Sequence, residues 1–260
     1  MTREYLKTAV EAARCAGALL KSRLGKIKKI SYKGEINLVT DVDKKSESLI
    51  VKIVTSRYPD HEILSEESAF TPSGSRYKWI IDPLDATTNY AHGFPFFCVS
   101  IALEKEGDII VGAVYDPMRG ELFYAQKRKG AFLNGKRIMV SRVGILKRAL
   151  LATGFSYTVS KYNASLVHFK NFLIRAQAVR RAGSAALDLC YVACGRFDGF
   201  WELDLKPWDM AAGKLIVEEA RGRVSSFSGG KYSVYAQEIL ASNKKVHREM
   251  ITVLGKGDKV

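Results

Sequence analysis

The 260-residue sequence predicts an α+β fold in which helices and sheets stack as layers of one compact unit. Two observations support this class: segments with helical periodicity and short strand-like runs occur in blocks, and no linker, repeat or low-complexity stretch separates the blocks. Apolar residues make up 47% of the chain, which is enough to bury a large core. We therefore expect a single domain over residues 1–260 with two closely packed halves, about residues 1–145 and 146–260.

Two helices open the first half. Apolar positions in residues 3–24 recur with a helical period that stops at Gly25, which predicts an amphipathic helix. Thr40 and Asp43 have the spacing of a capping box and begin a second helix, which Pro59 ends. The apolar residues of this second helix also share one face, so it is expected to pack inward.

The rest of the first half predicts a sheet. Two short apolar runs bounded by polar residues come first, at residues 62–66 and 77–82. Further β-rich runs are joined by short turns, and an Asn-Gly pair then marks a tight hairpin; these segments are residues 96–104, 109–115, 121–126 and 134–135. Because each connection is short, we expect an antiparallel meander.

The second half alternates between strands and helices. The predicted strands are residues 149–153 and 197–203, and the predicted helices are residues 160–174, 184–194 and 208–220. Gly222 is expected to cap the last helix, and further β structure follows it.

Cysteine and histidine are too scattered for zinc or thiol chemistry. The four cysteines contain no CxxC pair and the four histidines no HExxH pattern, so any metal must be held by oxygen ligands. We expect buried free thiols at all four cysteines, Cys15, Cys98, Cys190 and Cys194. The chain shows no signal pattern and no apolar run near the roughly 18 residues that cross a bilayer, which predicts a soluble cytoplasmic protein without membrane contact.

The net charge of +14 favours anionic ligands or partners in general. A solvated basic surface explains the same charge. No nucleic-acid-binding motif accompanies the basic patches, so a nucleic-acid partner stays open but is not indicated by motif.

The most informative segment is residues 79–89, an apolar strand that runs into a polar turn. Asp82 and Asp85 lie three residues apart across a proline, so their carboxylates and the Leu84 carbonyl can converge on one point. Such hard oxygen ligands suit Mg²⁺. If a helix starts next, its first backbone N–H groups would face an anion beside the metal, and these belong to Ala86, Thr87 and Thr88. An ordinary Asp-Pro turn is the alternative.

Two further acids occur where functional groups often gather. Glu66 follows a predicted strand, and Asp209 lies in the first turn of a helix with small residues. Each has a structural alternative, since a carboxylate at a helix start is stabilised by the helix dipole. Thr40 and Asp43 could likewise act only as a helix cap.

Together these segments resemble the inositol monophosphatase family of metal-dependent phosphatases, and the resemblance covers nearly the whole chain. The strongest matches are residues 66–67, 82–89 and 208–213, with supporting matches at residues 38–43, 92–95, 129–135 and 180–186. The family usually has glycine where this chain has Ala86. Alanine tolerates that place only with a negative φ, so we expect one there, as at a helix start. Its methyl group could crowd the substrate, and we expect activity to remain.

The resemblance implies an α-β-α-β-α sandwich, a homodimer and Mg²⁺ as cofactor. One ion would be held by Glu66, Asp82 and the Leu84 carbonyl, and a second by Asp82, Asp85 and Asp209. A third, weaker ion would lie near Glu66. Thr87, helped by Glu66 and Asp43, would activate a water that attacks phosphorus in line with the ester oxygen.

The resemblance also implies a substrate site for a small phosphorylated polyol or sugar. The residues expected to bind the substrate are Asp85, Ala86, Thr87, Thr88, Gly183, Ser184, Ala185 and Glu202, with Arg180 or Arg181 able to receive a second phosphate. A carboxylate at Glu202 accepts hydrogen bonds from vicinal hydroxyls and repels a second phosphate, which favours myo-inositol monophosphate. The alternatives are fructose 1,6-bisphosphate, alone or as a second substrate, and a non-enzymatic role in binding RNA or a transcription complex.

Overall fold

The computed structural model describes residues 2–26, 30–32, 38–156 and 159–256. Helix α1 covers Thr2–Arg23 and α2 covers Asp41–Thr55, and a two-stranded antiparallel sheet joins them, formed by β1 (Ile30–Tyr32) and β2 (Leu38–Thr40). Helix α1 ends just before Gly25, whose φ is +71°, as predicted. Helix α2 ends a full turn before Pro59, so proline is not what terminates it.

The predicted capping box begins α2. The Thr40 N–H donates to Asp43 Oδ2 at 2.8 Å, and the Val42 N–H donates to Thr40 Oγ1 at 3.1 Å. These bonds satisfy backbone donors that a helix start leaves without intrahelical partners. They also hold the Asp43 side chain in one orientation.

A seven-stranded sheet follows. Its strands, which are neighbours in chain order, are β3 (Glu62–Ser65), β4 (Tyr77–Asp85), β5 (Cys98–Lys105), β6 (Asp108–Asp116), β7 (Glu121–Gln126), β8 (Gly130–Leu133) and β9 (Lys136–Ile138). Only β3 and β4 pair in parallel, and every later pair is antiparallel, which confirms the meander. The hairpin turn at Asn134 and Gly135 has φ values of +47° and +82°, as an Asn-Gly turn requires.

The second sheet has five strands and mixed direction. In spatial order they are β11 (Ala178–Arg180), β10 (Leu150–Thr153), β12 (Gly199–Leu203), β14 (Glu238–Ser242) and β13 (Arg223–Ser225). Strand β10 pairs in parallel with both β11 and β12, whereas β14 is antiparallel to its neighbours. Strand β11 was not predicted, because three residues are too few to show the alternation of apolar and polar residues that marks a strand.

Five further helices are α3 (Thr87–Ala91), α4 (Val159–Leu173), α5 (Ala185–Ala193), α6 (Pro207–Glu219) and α7 (His247–Leu254). The expected cap of α6 by Gly222 needs correction, because the left-handed residue is Arg221, with φ +70°. Gly222 takes the next position, and its N–H donates to the Val217 carbonyl at 2.9 Å. A Cβ there would lie 2.8 Å from the Ser242 carbonyl oxygen, which explains the glycine.

The elements stack in five layers. Helices α1 and α2 cover one face of the seven-stranded sheet, α5 and α6 lie between the two sheets, and α4 and α7 cover the far face of the five-stranded sheet. This arrangement confirms the predicted α+β, α-β-α-β-α sandwich. Three buried clusters fill the boundaries between layers, and the one around α5 and α6 reaches both sheets; their largest side chains include Trp79, Phe123 and Trp201. The division into two halves stays a prediction.

The cysteines are all unpaired, but only two are buried as expected. Cys98 and Cys190 lie in the core, whereas Cys15 is exposed and Cys194 is half-buried. Helices in the part of the chain that the structure describes are all too short or too polar to cross a membrane.

Candidate active site

The site is built on an irregularity at the end of β4. The pairing of β4 with β5 shifts register between Asp82 and Asp85. In a regular strand, residues three apart point to opposite faces, so this bulge is what lets both acids reach one cleft. The turn is fixed by two bonds: the Leu84 N–H donates to Asp82 Oδ1 at 3.0 Å, and the Ser46 hydroxyl donates to the Pro83 carbonyl at 2.7 Å.

Asp85 is anchored at the start of α5. Its Oδ2 accepts bonds from the Ser184 hydroxyl at 2.5 Å and from the Ala186 N–H at 3.0 Å. The Ser184 Oγ also accepts the Leu187 N–H, and so caps the helix. This network fixes one carboxylate of β4 against a helix that packs on the other sheet.

The other two acids come from separate elements. Glu66 directly follows β3, and its N–H donates to the Ile81 carbonyl, which extends the parallel pairing with β4. Asp209 is in the first turn of α6, where its Oδ2 accepts the Lys206 N–H at 2.7 Å. The helix-end role considered for Asp209 is therefore present, and the residue also lines the cleft.

These four carboxylates line one cleft of about 370 Å³. Burial raises the pKa of Asp82 and of Asp209 well above the usual range, and repulsion from the neighbouring acids raises both further. Burial also raises the pKa of Asp85. Since acids influence one another this way only at short range, the carboxylates form one electrostatic unit.

The donor set fits a hard divalent cation. All four side chains offer carboxylate oxygens, and the Leu84 residue lines the same cleft. A cation would relieve the repulsion that raises their pKa values. Among residues 2–26, 30–32, 38–156 and 159–256, the acids line the cleft without closing into a compact metal cluster.

A hydroxyl–carboxylate pair lies beside these acids. The Thr87 Oγ1 is 3.0 Å from Asp43 Oδ1 and 3.1 Å from the Leu84 carbonyl oxygen. Asp43 is buried behind Thr87 and is reached from the cleft through it. Burial raises the pKa of Asp43, although its bonds from Thr40 and Thr87 favour the charged form.

The expected negative φ at Ala86 is wrong. Ala86 has φ +74° and ψ +49°, because the chain turns there from β4 into α3 through the left-handed region. Glycine adopts this conformation without strain, whereas alanine does not. The Ala86 side chain is half-buried and packs against the cluster under α1 and α2, although the residue also lines the cleft.

The remaining predicted substrate-binding residues belong to the same cleft. Thr88, Gly183, Ser184, Ala185 and Glu202 all line it. Burial raises the pKa of Glu202 to about 8.

Gly154 at the end of β10 lies against Glu202. A Cβ on it would fall 1.9 Å from Glu202 Oε1, so only glycine leaves room for that carboxylate.

Of the two arginines considered, Arg181 lines the cleft and Arg180 does not. Arg180 ends β11, is exposed and donates to the Val179 carbonyl at 3.2 Å. Adjacent residues of an extended segment point to opposite sides, so only one of the pair can face the cleft.

Gly154 and Asp188 are among the cleft residues that had not been singled out from the sequence. Asp188 could have been found as the one charged side chain in the apolar segment that forms α5.

Known proteins share this fold and sequence. The chain is 45% identical over 253 residues to an inositol-1-monophosphatase of Synechocystis, covering 96% of this chain and 88% of that protein. It is 43% identical over 257 residues to a fructose-1,6-bisphosphatase/inositol-1-monophosphatase of Aquifex aeolicus, with coverage of 98% and 96%. The crystal structure of the extragenic suppressor protein suhB from Bartonella henselae superposes with a TM-score of 0.94 at 39% identity, over 98% of this chain and 99% of that one.

The layered fold, the grouped carboxylates and these relatives define a metal-dependent phosphoric monoester hydrolase. Residues 1–256 match the inositol monophosphatase family as a whole. The chain belongs to that family.

Proposed function

We propose that the protein hydrolyses a phosphate monoester with Mg²⁺, and that its substrate is myo-inositol monophosphate, released as inositol and phosphate. The observation that carries this proposal is the convergence of four carboxylates from three separate segments on one cleft, beside the Thr87–Asp43 pair. A cleft of about 370 Å³ is large enough for a small phosphorylated ring.

The metal ligands in this proposal are Glu66, Asp82, Asp85 and Asp209 with the Leu84 carbonyl. Oxygen-only donors and their mutual repulsion support Mg²⁺ over metals that prefer nitrogen or sulfur. Mg²⁺ in such a site lowers the pKa of an attacking water and offsets negative charge on the phosphate and on the leaving alkoxide.

Thr87 and Asp43 orient the attacking water. The Thr87 hydroxyl donates its proton towards Asp43, which leaves its oxygen lone pairs to accept a hydrogen bond from the water. Glu66, on the same cleft wall, assists in removing the water proton. The water then attacks phosphorus in line with the ester oxygen, so no covalent intermediate with the protein is required.

The phosphate and the polyol occupy adjoining parts of the cleft in this proposal. The backbone N–H groups at Ala86, Thr87 and Thr88 hold the phosphate. The polyol hydroxyls bind near Gly183, Ser184, Ala185, Asp85 and Glu202, all of which line the cleft. Glu202 accepts hydrogen bonds from two adjacent hydroxyls.

The test is phosphate release from myo-inositol 1-phosphate with and without Mg²⁺, for the native protein and for Asp82→Asn. We expect phosphate release only with Mg²⁺. The variant should lose at least about 100-fold in kcat, because it lacks one proposed ligand of the metal that binds the phosphate. Full activity of Asp82→Asn would refute the proposal.

Fructose 1,6-bisphosphate is the second candidate substrate, because Arg181 lines the cleft and can receive a second phosphate. Comparison of kcat/KM for the two esters in the native protein and in Arg181→Ala separates them. If bisphosphate is a substrate, the variant should lose activity mainly toward it.

The remaining proposals concern the setting of the enzyme. Unpaired thiols support a cytoplasmic location, and exposed apolar side chains on and just after α4 (Leu166, Leu173 and Ile174) support a homodimer, which light scattering would measure.

The charge of +14 supports RNA binding as the non-enzymatic alternative. Binding of that kind should fall steeply with added salt and should survive Asp82→Asn.

A further inference from the structure

Asp188 is a buried acid that the proposed chemistry does not use. It is the only charged residue of α5, its side chain is 1% exposed, and it lines the cleft. Its Oδ1 has no hydrogen-bond partner among the residues that the structure describes. A buried carboxylate oxygen without a partner costs folding free energy, so its presence needs a reason.

Capping of α5 does not supply that reason. The N–H of Leu187 already donates to the Ser184 hydroxyl, and the N–H of Ala186 already donates to Asp85. Asp188 therefore sits in the first turn of the helix without serving as its cap.

The charges around Asp188 indicate what is missing. Burial and repulsion from Glu202 and then from Asp85 raise the pKa of Asp188, whereas Arg181 lowers it. Arg181 also lowers the pKa of Glu202. The Arg181 guanidinium thus offsets part of the negative charge of both Asp188 and Glu202. Within the described part of the chain, Asp188 Oδ1 still lacks a hydrogen-bond donor.

A polyol supplies such donors and enters this same cleft. We propose that Asp188 is a specificity-determining residue whose carboxyl group, beside that of Glu202, binds a hydroxyl of the polyol, directly or through one ordered water. This inference rests on the proposed phosphatase function and extends it: the enzyme would select esters with several adjacent hydroxyls over esters without them.

The experiment compares kcat/KM for myo-inositol 1-phosphate with kcat/KM for p-nitrophenyl phosphate, which has no hydroxyls. The variants are Asp188→Asn and Asp188→Leu. The matched control is Asp198→Asn, because Asp198 is also buried but accepts bonds from the Ser141 hydroxyl and from the Leu150 N–H and lies outside the cleft.

We expect both Asp188 variants to lower the ratio of the two kcat/KM values by about 10-fold, as the loss of one hydrogen bond implies. Their melting temperatures should equal or exceed that of the native protein. The control should melt at a lower temperature and keep the native ratio, since it loses satisfied bonds that do not face the substrate.

An unchanged ratio in both Asp188 variants would overturn the inference. So would variants that fail to fold or melt several degrees lower, because Asp188 would then be a structural residue. The proposed function fails separately, if the native protein releases no phosphate from either ester, and the inference falls with it.

Discussion

A methyl group at Gly154 should displace Glu202 and weaken binding of the polyol without damaging the fold. The Cβ of Gly154→Ala would lie 1.9, 2.1 and 2.3 Å from Glu202 Oε1, Cδ and Oε2, so the carboxylate must move by about 1.5 Å to reach ordinary contact. It can do so because it is the end of a flexible side chain. The φ of Gly154 lies outside the left-handed region, so alanine adds no backbone strain.

The expected effect follows from the hydrogen bonds that Glu202 would lose. A hydrogen bond contributes about 0.5–1.5 kcal/mol, so the loss of two such bonds should lower kcat/KM for myo-inositol 1-phosphate by about 10- to 100-fold, chiefly through KM. The free energy of unfolding should rise by no more than about 1 kcal/mol, because alanine restricts the unfolded chain more than glycine does.

A double-mutant cycle isolates the cause. Glu202→Ala removes the group with which the new methyl collides, so Gly154→Ala should have little further effect in that background. Gly144→Ala is the matched control, since its nearest neighbour is a Lys245 side-chain atom at 4.0 Å and it should leave both activity and stability unchanged. Additive losses in the cycle, or full activity of Gly154→Ala, would refute the reasoning.

Three other predictions follow from the same structure. Ala86→Gly should raise the free energy of unfolding by up to about 1 kcal/mol, because glycine removes the strain of the left-handed conformation. Arg221→Gly should have the same effect at a position away from the cleft. Urea denaturation would measure both changes, and a loss of stability in both variants would contradict the prediction. Burial lowers the pKa of His247 from 6.5 to about 4, so the unfolded chain binds more protons between those values and the native protein should lose about 2 kcal/mol from pH 7.5 to pH 5 on this account. His247→Gln should lack that part of the pH dependence; an identical pH profile would exclude it. Mg²⁺ should raise the melting temperature of the native protein and should do so less in Asp209→Asn, since one carboxylate ligand is gone; equal shifts would argue against Asp209 as a ligand.

The sequence predicted the layers because their signals are local, and most of the residues it named for the site line the cleft, while their roles stay predictions. The capping box at Thr40 and the Asn-Gly hairpin at residues 134–135 depend on neighbours in the chain, and both appear as expected. The conformation of Ala86 was predicted wrongly, because its φ is set by how β4 must turn into α3, which no local pattern encodes. The choice of Arg181 over Arg180 likewise depends on which side of the extended segment faces the cleft.

The acids of this protein fall into two groups that sequence does not distinguish but partners do. Asp43 and Asp198 are buried, and each accepts hydrogen bonds from at least two donors of the protein itself. Asp82 and Asp209 have pKa values raised by burial and by one another, and Asp188 retains an oxygen without a donor. A fold under selection for stability alone would not keep such groups buried together. The proposed cation and the proposed polyol hydroxyl would supply the missing compensation when they bind in the cleft.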